Sequence, residues 1–306
     1  GWHRHDTDGS FESVCTISEG SEDALYAVVR REVAGQTVRY VERLHTRQFS
    51  DVADAFFVDS GLTYDGRNQA GTLTLTDGDT WDQNATATAT ISGGAALSTA
   101  NVGDAFFLRD GDNVVRLTIE AVSNAATATV RPNRSVPAQL RYVNAQWDLA
   151  IRDVGGLAHL EGKTVSILAD GDVHPQRVVA AGVVSLQAPA AVIHAGLPIE
   201  ADLETLDLSV PSQGDTIRDK KKIVSAVRLL VQDTRGLLVG TSPTSLYEIR
   251  EREFENYDDP IHPATGLVEA RVSDTWNKSG RVFMRQSDPL PATVLAVIPE
   301  VSAGGA

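Results

Sequence analysis

Asp54–Gly61 reads DAFFVDSG, and fifty positions on Asp104–Gly111 reads DAFFLRDG. Either the chain carries a tandem repeat or two unrelated strands have converged, and the choice decides how many domains to draw. Aligned from Val52 and Val102, the stretches share Val, Asp, Ala, Phe, Phe and the closing Gly. Past that glycine, Leu62-Thr-Tyr-Asp-Gly66 faces Asp112-Asn-Val-Val-Arg116, and the likeness stops. A true repeat continues over at least about 20 residues. The expectation is therefore two short apolar strands, each closed by an Asp-bearing turn, in two different domains.

Composition places the boundary between them. From Gly71 to about Val130 the chain is rich in Thr, Ala, Gly and Ser, with strictly alternating TLTLTDGD and ATATATIS runs. Such Thr-rich runs between Gly and Asp read as short strands. Arg131–Pro137, with two prolines, marks the way out. Residues 67–141 thus read as a small β domain inserted into a host made of residues 1–66 and 142–306. In the host, Leu25–Val33, the turn Ala34-Gly35 and Gln36–Leu44 read as a hairpin with arginines on one face and Val38 and Tyr40 on the other. Lys163–Leu168 is a strand followed by the turn Ala169–Asp172, and Arg177–Leu186 a second hairpin. Lys220–Val231 fits both periods, and its β-branched content favours strand. Arg281–Arg285 and Thr293–Ile298 close the domain. The expected class is all-β: a β-propeller- or β-sandwich-like host with an inserted small β-barrel.

The 306 residues suffice for two or three cores, and 42% hydrophobic with 22% charged residues is ordinary for a globular chain. No apolar run approaches the roughly 18 residues that span a bilayer, so no membrane anchor is expected. The start, GWHRHDTDGS, has no signal-peptide core and no initiator Met, as in a processed product or fragment. The formal charge of −14 argues against a surface that grips phosphates; it is compatible with one past which nucleic acid slides, and equally with simple solubility. The single cysteine, Cys15, excludes an internal disulfide and a Cys-based zinc site, and points to folding in a reducing compartment.

No motif carries chemistry. Gly156–Thr164 has five residues between its glycines where a P-loop has four, and a strand follows where a helix is needed. Asp6-Thr-Asp-Gly9 puts Arg4 and Cys15 at the calcium-ligand positions of an EF-hand. His3 and His5 could share a face, without a third ligand at suitable spacing. The carboxylates of Glu251–Asp259 read as a solvated acidic strand and turn. No catalytic residue, cofactor or metal is expected. Lys220, Lys221 and Lys222 form the one basic run, either a solvated face or an interface with an acidic neighbour.

Read together, Trp2–Val14, Tyr40–Leu44, Val58–Gly66, Gly156–Val165, Ala191–Pro198, Asp219–Ile223, Arg250–Pro260 and Gly280–Pro291 resemble the C-terminal half of tail nozzle proteins of short-tailed bacteriophages. These are also called tail tubular protein B or phage stabilisation proteins. The insert is similar to the first catalytic-cysteine half-domain of ubiquitin-activating enzymes, a likeness of shape only, since it holds no cysteine. The resemblance implies a structural virion protein of the tail, assembled in the bacterial cytoplasm, and no enzyme. It implies a propeller-containing hexameric ring below the portal and its adaptor that retains the genome, lets DNA pass and contacts tail fibres. The alternative is a receptor- or glycan-binding tail module, with Trp81 and Tyr64 as its aromatic candidates. A glycan hydrolase working with two carboxylates is the enzyme alternative, and no pair stands out for it.

Overall fold

The computed structural model describes residues 5–20, 22–78, 80–83, 85–93, 96–111, 113–209, 211–212, 215–216, 220–249, 262–273 and 275–304. His3 and the acidic segment 251–259 lie outside them. Among the described residues the regular structure is strand, interrupted only by single 3-10 turns.

The first sheet holds β1 (Ser10–Glu19), β2 (Glu22–Val33) and β3 (Gln36–Arg43), in that order. Ala34 and Gly35 both take positive φ, 49° and 77°. That pair of left-handed residues gives the turn whose twist matches the strands it joins. Register sets Phe11, Val29 and Tyr40 side by side, and Val14, Ala27 and Glu42 beside them. The opposite face carries Arg30, Arg39 and Arg43, two of them paired with Glu12 and Glu19. The expected segregation holds except at Arg31, which shares the apolar face with Val38.

The two DAFF stretches differ in the fold. Val52–Asp54 is a 3-10 turn whose Ala53 amide donates to the Asp51 side chain, and Ala55–Val58 forms no strand; β4 (Asp59–Asp65) begins only afterwards. The second stretch is β7 (Ala105–Asp110), following β5 (Thr72–Thr76) and β6 (Ala87–Ser92). The strand expectation is corrected for the first copy. Its phenyl rings pack sideways, Phe56 between His45 and His194 and Phe57 against Phe49. Phe106 and Phe107 instead lie in a strand paired on both sides.

Further along come β8 (Asn113–Asn124), β9 (Thr127–Pro132), β10 (Val143–Asn144), β11 (Asp148–Val154), β12 (Thr164–Ala169), β13 (Asp172–Val178), β14 (Val184–Ala190) and β15 (Val192–Leu197). They build an open eight-stranded sheet, β10-β5-β6-β9-β8-β7-β11-β14, and a four-stranded one, β13-β12-β15-β4. Leu73, Leu75, Phe106, Leu117, Val130 and Trp147 fill one core, whereas Leu160, Ile167, Val184, Leu186 and Ile193 fill a second. β7 serves both sides of its sheet, Phe106 and Leu108 facing the first core and Ala105 and Phe107 a small joint with Ala150 and Ala191. The hairpin expected over Arg177–Leu186 keeps its turn, at Ala181 and Gly182, and a single bridge Ala180–Val183. Its arms then part, because β13 pairs with β12 and β14 with β11.

The last third holds β16 (Ala201–Glu204), the short β17 (Pro211–Ser212) and β18 (Asp215–Thr216), β19 (Lys222–Thr234), β20 (Leu238–Ser242), β21 (Ser245–Glu248), β22 (Ala264–Arg271), β23 (Phe283–Gln286) and β24 (Thr293–Ala303). Sheets β16-β23-β20-β21 and β22-β19-β24 share a third core around Val227, Leu229, Val239 and Met284. Among the described residues none of the sheets closes on itself.

Candidate functional site

The apolar face of the first sheet, with Phe11, Val14, Ala27, Val29 and Tyr40, looks onto open space. It forms one wall of an open groove of about 3180 Å³, whose other walls are residues 44–63, the chain after β15, and the edge of the third core near Asp233, Asp288 and Pro291. Phe11 and Val14 stand 49% and 64% exposed in it, with Leu25 and Leu44 beside them. Ile199 and Leu203 are exposed on the facing wall. Among the described residues ten carboxylates line the groove against three cations, Arg43, Arg47 and Lys163.

One ion cluster fastens the first sheet to the rest. The Arg31 guanidinium is only 3% exposed, yet holds two carboxylates from different sheets. Its Nε and Nη2 donate to the two oxygens of Glu42 on β3, at 2.6 and 2.7 Å, and Nη2 also donates to Asp59 Oδ1 on β4, at 3.0 Å. Nη1 donates to the Asp8 carbonyl at 2.9 Å, and the Thr7 hydroxyl to Asp59 Oδ2 at 2.7 Å. Burial works to lower the Arg31 pKa, but the hydrogen bonds to Glu42 and Asp59 outweigh it, and the net shift is upward. A fork-shaped donor between two planar acceptors suits arginine and not lysine. Lys163 adds an exposed pair with Asp8.

Histidines line the same seam. His194 on β15 is buried, its Nε2 2.8 Å from the Ala53 carbonyl and its Nδ1 2.8 Å from the Thr63 hydroxyl. The carbonyl can only accept, so Nε2 carries the proton and Nδ1 receives the hydroxyl's. Burial lowers the His194 pKa, more than the Ala53 contact raises it. His159 places Nε2 2.7 Å from the Ser60 carbonyl and meets the Tyr40 ring edge-on at 5.9 Å. These contacts hold residues 45–60 and the first sheet against the central strands. Apart from the Thr63 hydroxyl on His194, they set no hydroxyl or thiol against a base, and the described residues hold no group of three or more His, Cys, Asp or Glu able to bind a metal.

The residues singled out in sequence lie elsewhere. Lys222 is fully buried at the start of β19, its ammonium on the Lys278 carbonyl and its backbone bridged to Asn277. Of the basic run, Lys221 is exposed and Lys220 half-buried. Tyr64 and Trp81 are not brought together. The Tyr64 hydroxyl donates to the Leu149 carbonyl and burial pushes its pKa up to about 12, whereas Trp81 packs on the first core under the Arg141 guanidinium. In the stretch read as a failed P-loop, Glu161 accepts from the amides of Ala181 and Gly182, and β12 follows. Sequence reasoning missed Arg31, though an arginine between Val29 and Val33 occupies an inward-facing phase of its strand. No protein-family model matches the chain, and no curated protein does.

Proposed function

We propose that the chain is a structural subunit of a phage tail nozzle, acting by assembly and not by catalysis. In this reading six copies form a ring below the portal and its adaptor, residues 1–66 and 142–306 belong to a propeller-like host, and residues 67–141 are an inserted barrel-like module. The ring retains the genome in the virion, lets it pass on ejection and contacts tail fibres.

One observation carries the reading. The outer face of the last sheet presents Leu230, Leu267, Leu295 and Ile298 to solvent, and among the described residues its edge strands β22 and β24 each pair on one side only. An apolar face with open edges is the kind of surface a neighbouring subunit covers. The charges around it are of both signs: Arg228 sits between Glu269 and Glu300. A second copy therefore meets no single-sign barrier there. The string of short motifs shared with nozzle proteins and the net charge of −14 support the same reading. An acidic lumen would repel DNA and so let it slide. Lys221 is exposed, on a side an acidic neighbour in the ring could meet. The described residues contain no helix long and apolar enough to cross a membrane.

Electron microscopy of tail particles carrying the chain tests this. A six-fold ring next to the portal-proximal proteins is the expected result, lost when Leu267→Arg and Ile298→Arg are introduced together. Three-fold peripheral spikes would replace the reading with the receptor-binding one. Turnover of host polysaccharide by the purified chain would replace it with an enzyme.

A further inference from the structure

The groove beside the first sheet asks for a different occupant from the last sheet. Small-molecule sites run to about 1,000 Å³ at most. This groove is roughly three times that and open to solvent, room enough for a stretch of polypeptide. Both walls carry exposed apolar side chains, Phe11 and Val14 on one and Ile199 and Leu203 on the other. The lining is predominantly acidic, ten carboxylates against Arg43, Arg47 and Lys163 among the described residues. Arg31, Arg281 and Arg285, standing behind the walls, answer Glu42, Glu204 and Asp202, but Asp51, Asp233 and Asp288 make no ion pair with them. Burial, with Glu248 nearby, raises the Asp288 pKa. Beside the groove, β1 pairs with β2 along one edge, and among the described residues no strand pairs with the other. Every β1 residue after Ser10 is exposed.

We propose that this groove binds an extended, basic segment of a partner protein, which adds to the free edge of β1 and lays alternate apolar side chains against Phe11 and Val14. Strand addition draws affinity from main-chain hydrogen bonds and specificity from side chains at every second position. β1 has ten residues, so it offers an edge of roughly 33 Å at about 3.3 Å per residue. A second copy is a poor occupant. The chain carries −14, and its one basic run has Lys222 locked inside its own fold. Nucleic acid is excluded by the same carboxylates. The proposal does not rest on the ring: the two surfaces lie on different sheets and differ in charge.

The test uses the full chain and a fluorescein-labelled ten-residue peptide alternating valine with lysine or arginine. Its control carries glutamate at every basic position. Anisotropy should show saturable 1:1 binding of the basic peptide, weakening as salt is raised, and none of the acidic one. Phe11→Asp with Val14→Asp should weaken binding at least ten-fold, and Leu203→Asp on the facing wall should weaken it independently. All three positions are exposed, so unchanged melting curves will show that the variants fold. A fluorophore on Cys15, the one cysteine and exposed on β1, should report the arrival of the peptide. Equal binding of the acidic peptide would overturn the proposal, as would basic-peptide binding indifferent to both wall variants. Self-association abolished by the wall variants would assign the groove to a second copy instead. Ring formation untouched by these variants, with peptide binding lost, separates this proposal from the nozzle reading.

Discussion

Arg31→Met should release the first sheet from the body of the protein. The substitution keeps the length and apolar stem of the side chain, so what it removes is the guanidinium alone. It leaves Glu42 and Asp59 facing each other without their shared cation, and the Asp8 carbonyl without its donor. Removing one partner of a fully buried pair costs about 3–5 kcal/mol, because the charge left behind stays desolvated. Arg31 is 3% exposed but its carboxylates are 22% and 21% exposed, so water reaches them and the lower figure applies, about 3 kcal/mol. Glu42→Gln leaves Arg31 still paired with Asp59 and should cost about half as much, the worth of a charged hydrogen bond. Combining the two should cost less than their sum, since the repulsion that Arg31→Met creates needs Glu42 charged. The loss is local. The amides of β2 and β3 should exchange roughly a hundred-fold faster by hydrogen-exchange mass spectrometry, while those of β7 and β8 in the first core hold. Arg39→Met on the exposed face should change nothing measurable. The reasoning fails if Arg31→Met leaves β2 and β3 protected, or if the two substitutions add without coupling.

Other expectations concern pH and backbone. Burial lowers the pKa of His194 from the ordinary 6.5, so the unfolded chain takes up its proton first as pH falls. Stability is whole above about pH 6.5 and is lost below it, at up to roughly 1.4 kcal/mol per pH unit, until folded His194 itself charges. Melting curves from pH 7.5 to 5 should show that slope, and His194→Gln should flatten it. Asp104, Asp170 and Asp288, raised by burial, act with the opposite sign, nearer the carboxylate range. Asp170 sits at φ 51° in the β12–β13 turn and accepts the amides of Ala191 and Val192. Asp170→Ala strands both amides and should lower stability by about 2–4 kcal/mol in urea titrations, whereas Asn, which tolerates that φ and keeps an acceptor, should lose less. At Gly66 a Cβ would stand 2.0 Å from the Leu149 carbonyl, so Gly66→Ala should fail to express as a folded chain. Gly35, with nothing within 4 Å, should accept alanine at about 1 kcal/mol of left-handed strain.

What could be read in advance follows the range of the interaction. Alternation over TLTLT and ATATIS reports a pleated surface with one side buried, and β5 and β6 pair with Leu73 and Leu75 beside Ile91 and Ala89. The turns Ala34-Gly35 and Asp170-Gly171 are set by two residues each, and both were legible. The DAFF stretches show where local reading stops. Four identical residues make a strand at Ala105 because β8 and β11 lie ready on both sides, and make none at Ala55, where His45 and His194 take the phenyl ring instead. Neither partner is adjacent in sequence. Arg31 was legible as an anomaly, a cation in the phase of Val29 and Val33, but its second carboxylate lies 28 residues away on another sheet. Lys222 misleads in the opposite direction, because a run of three lysines reads as solvated and a new strand, its first residue buried, begins at the third. The acidic excess was legible as a total and illegible as a place. Ten carboxylates meet in one groove only because the first sheet, the chain after β15 and the third core converge there. A charge count constrains what the chain repels, but only that convergence says where a basic partner would be held.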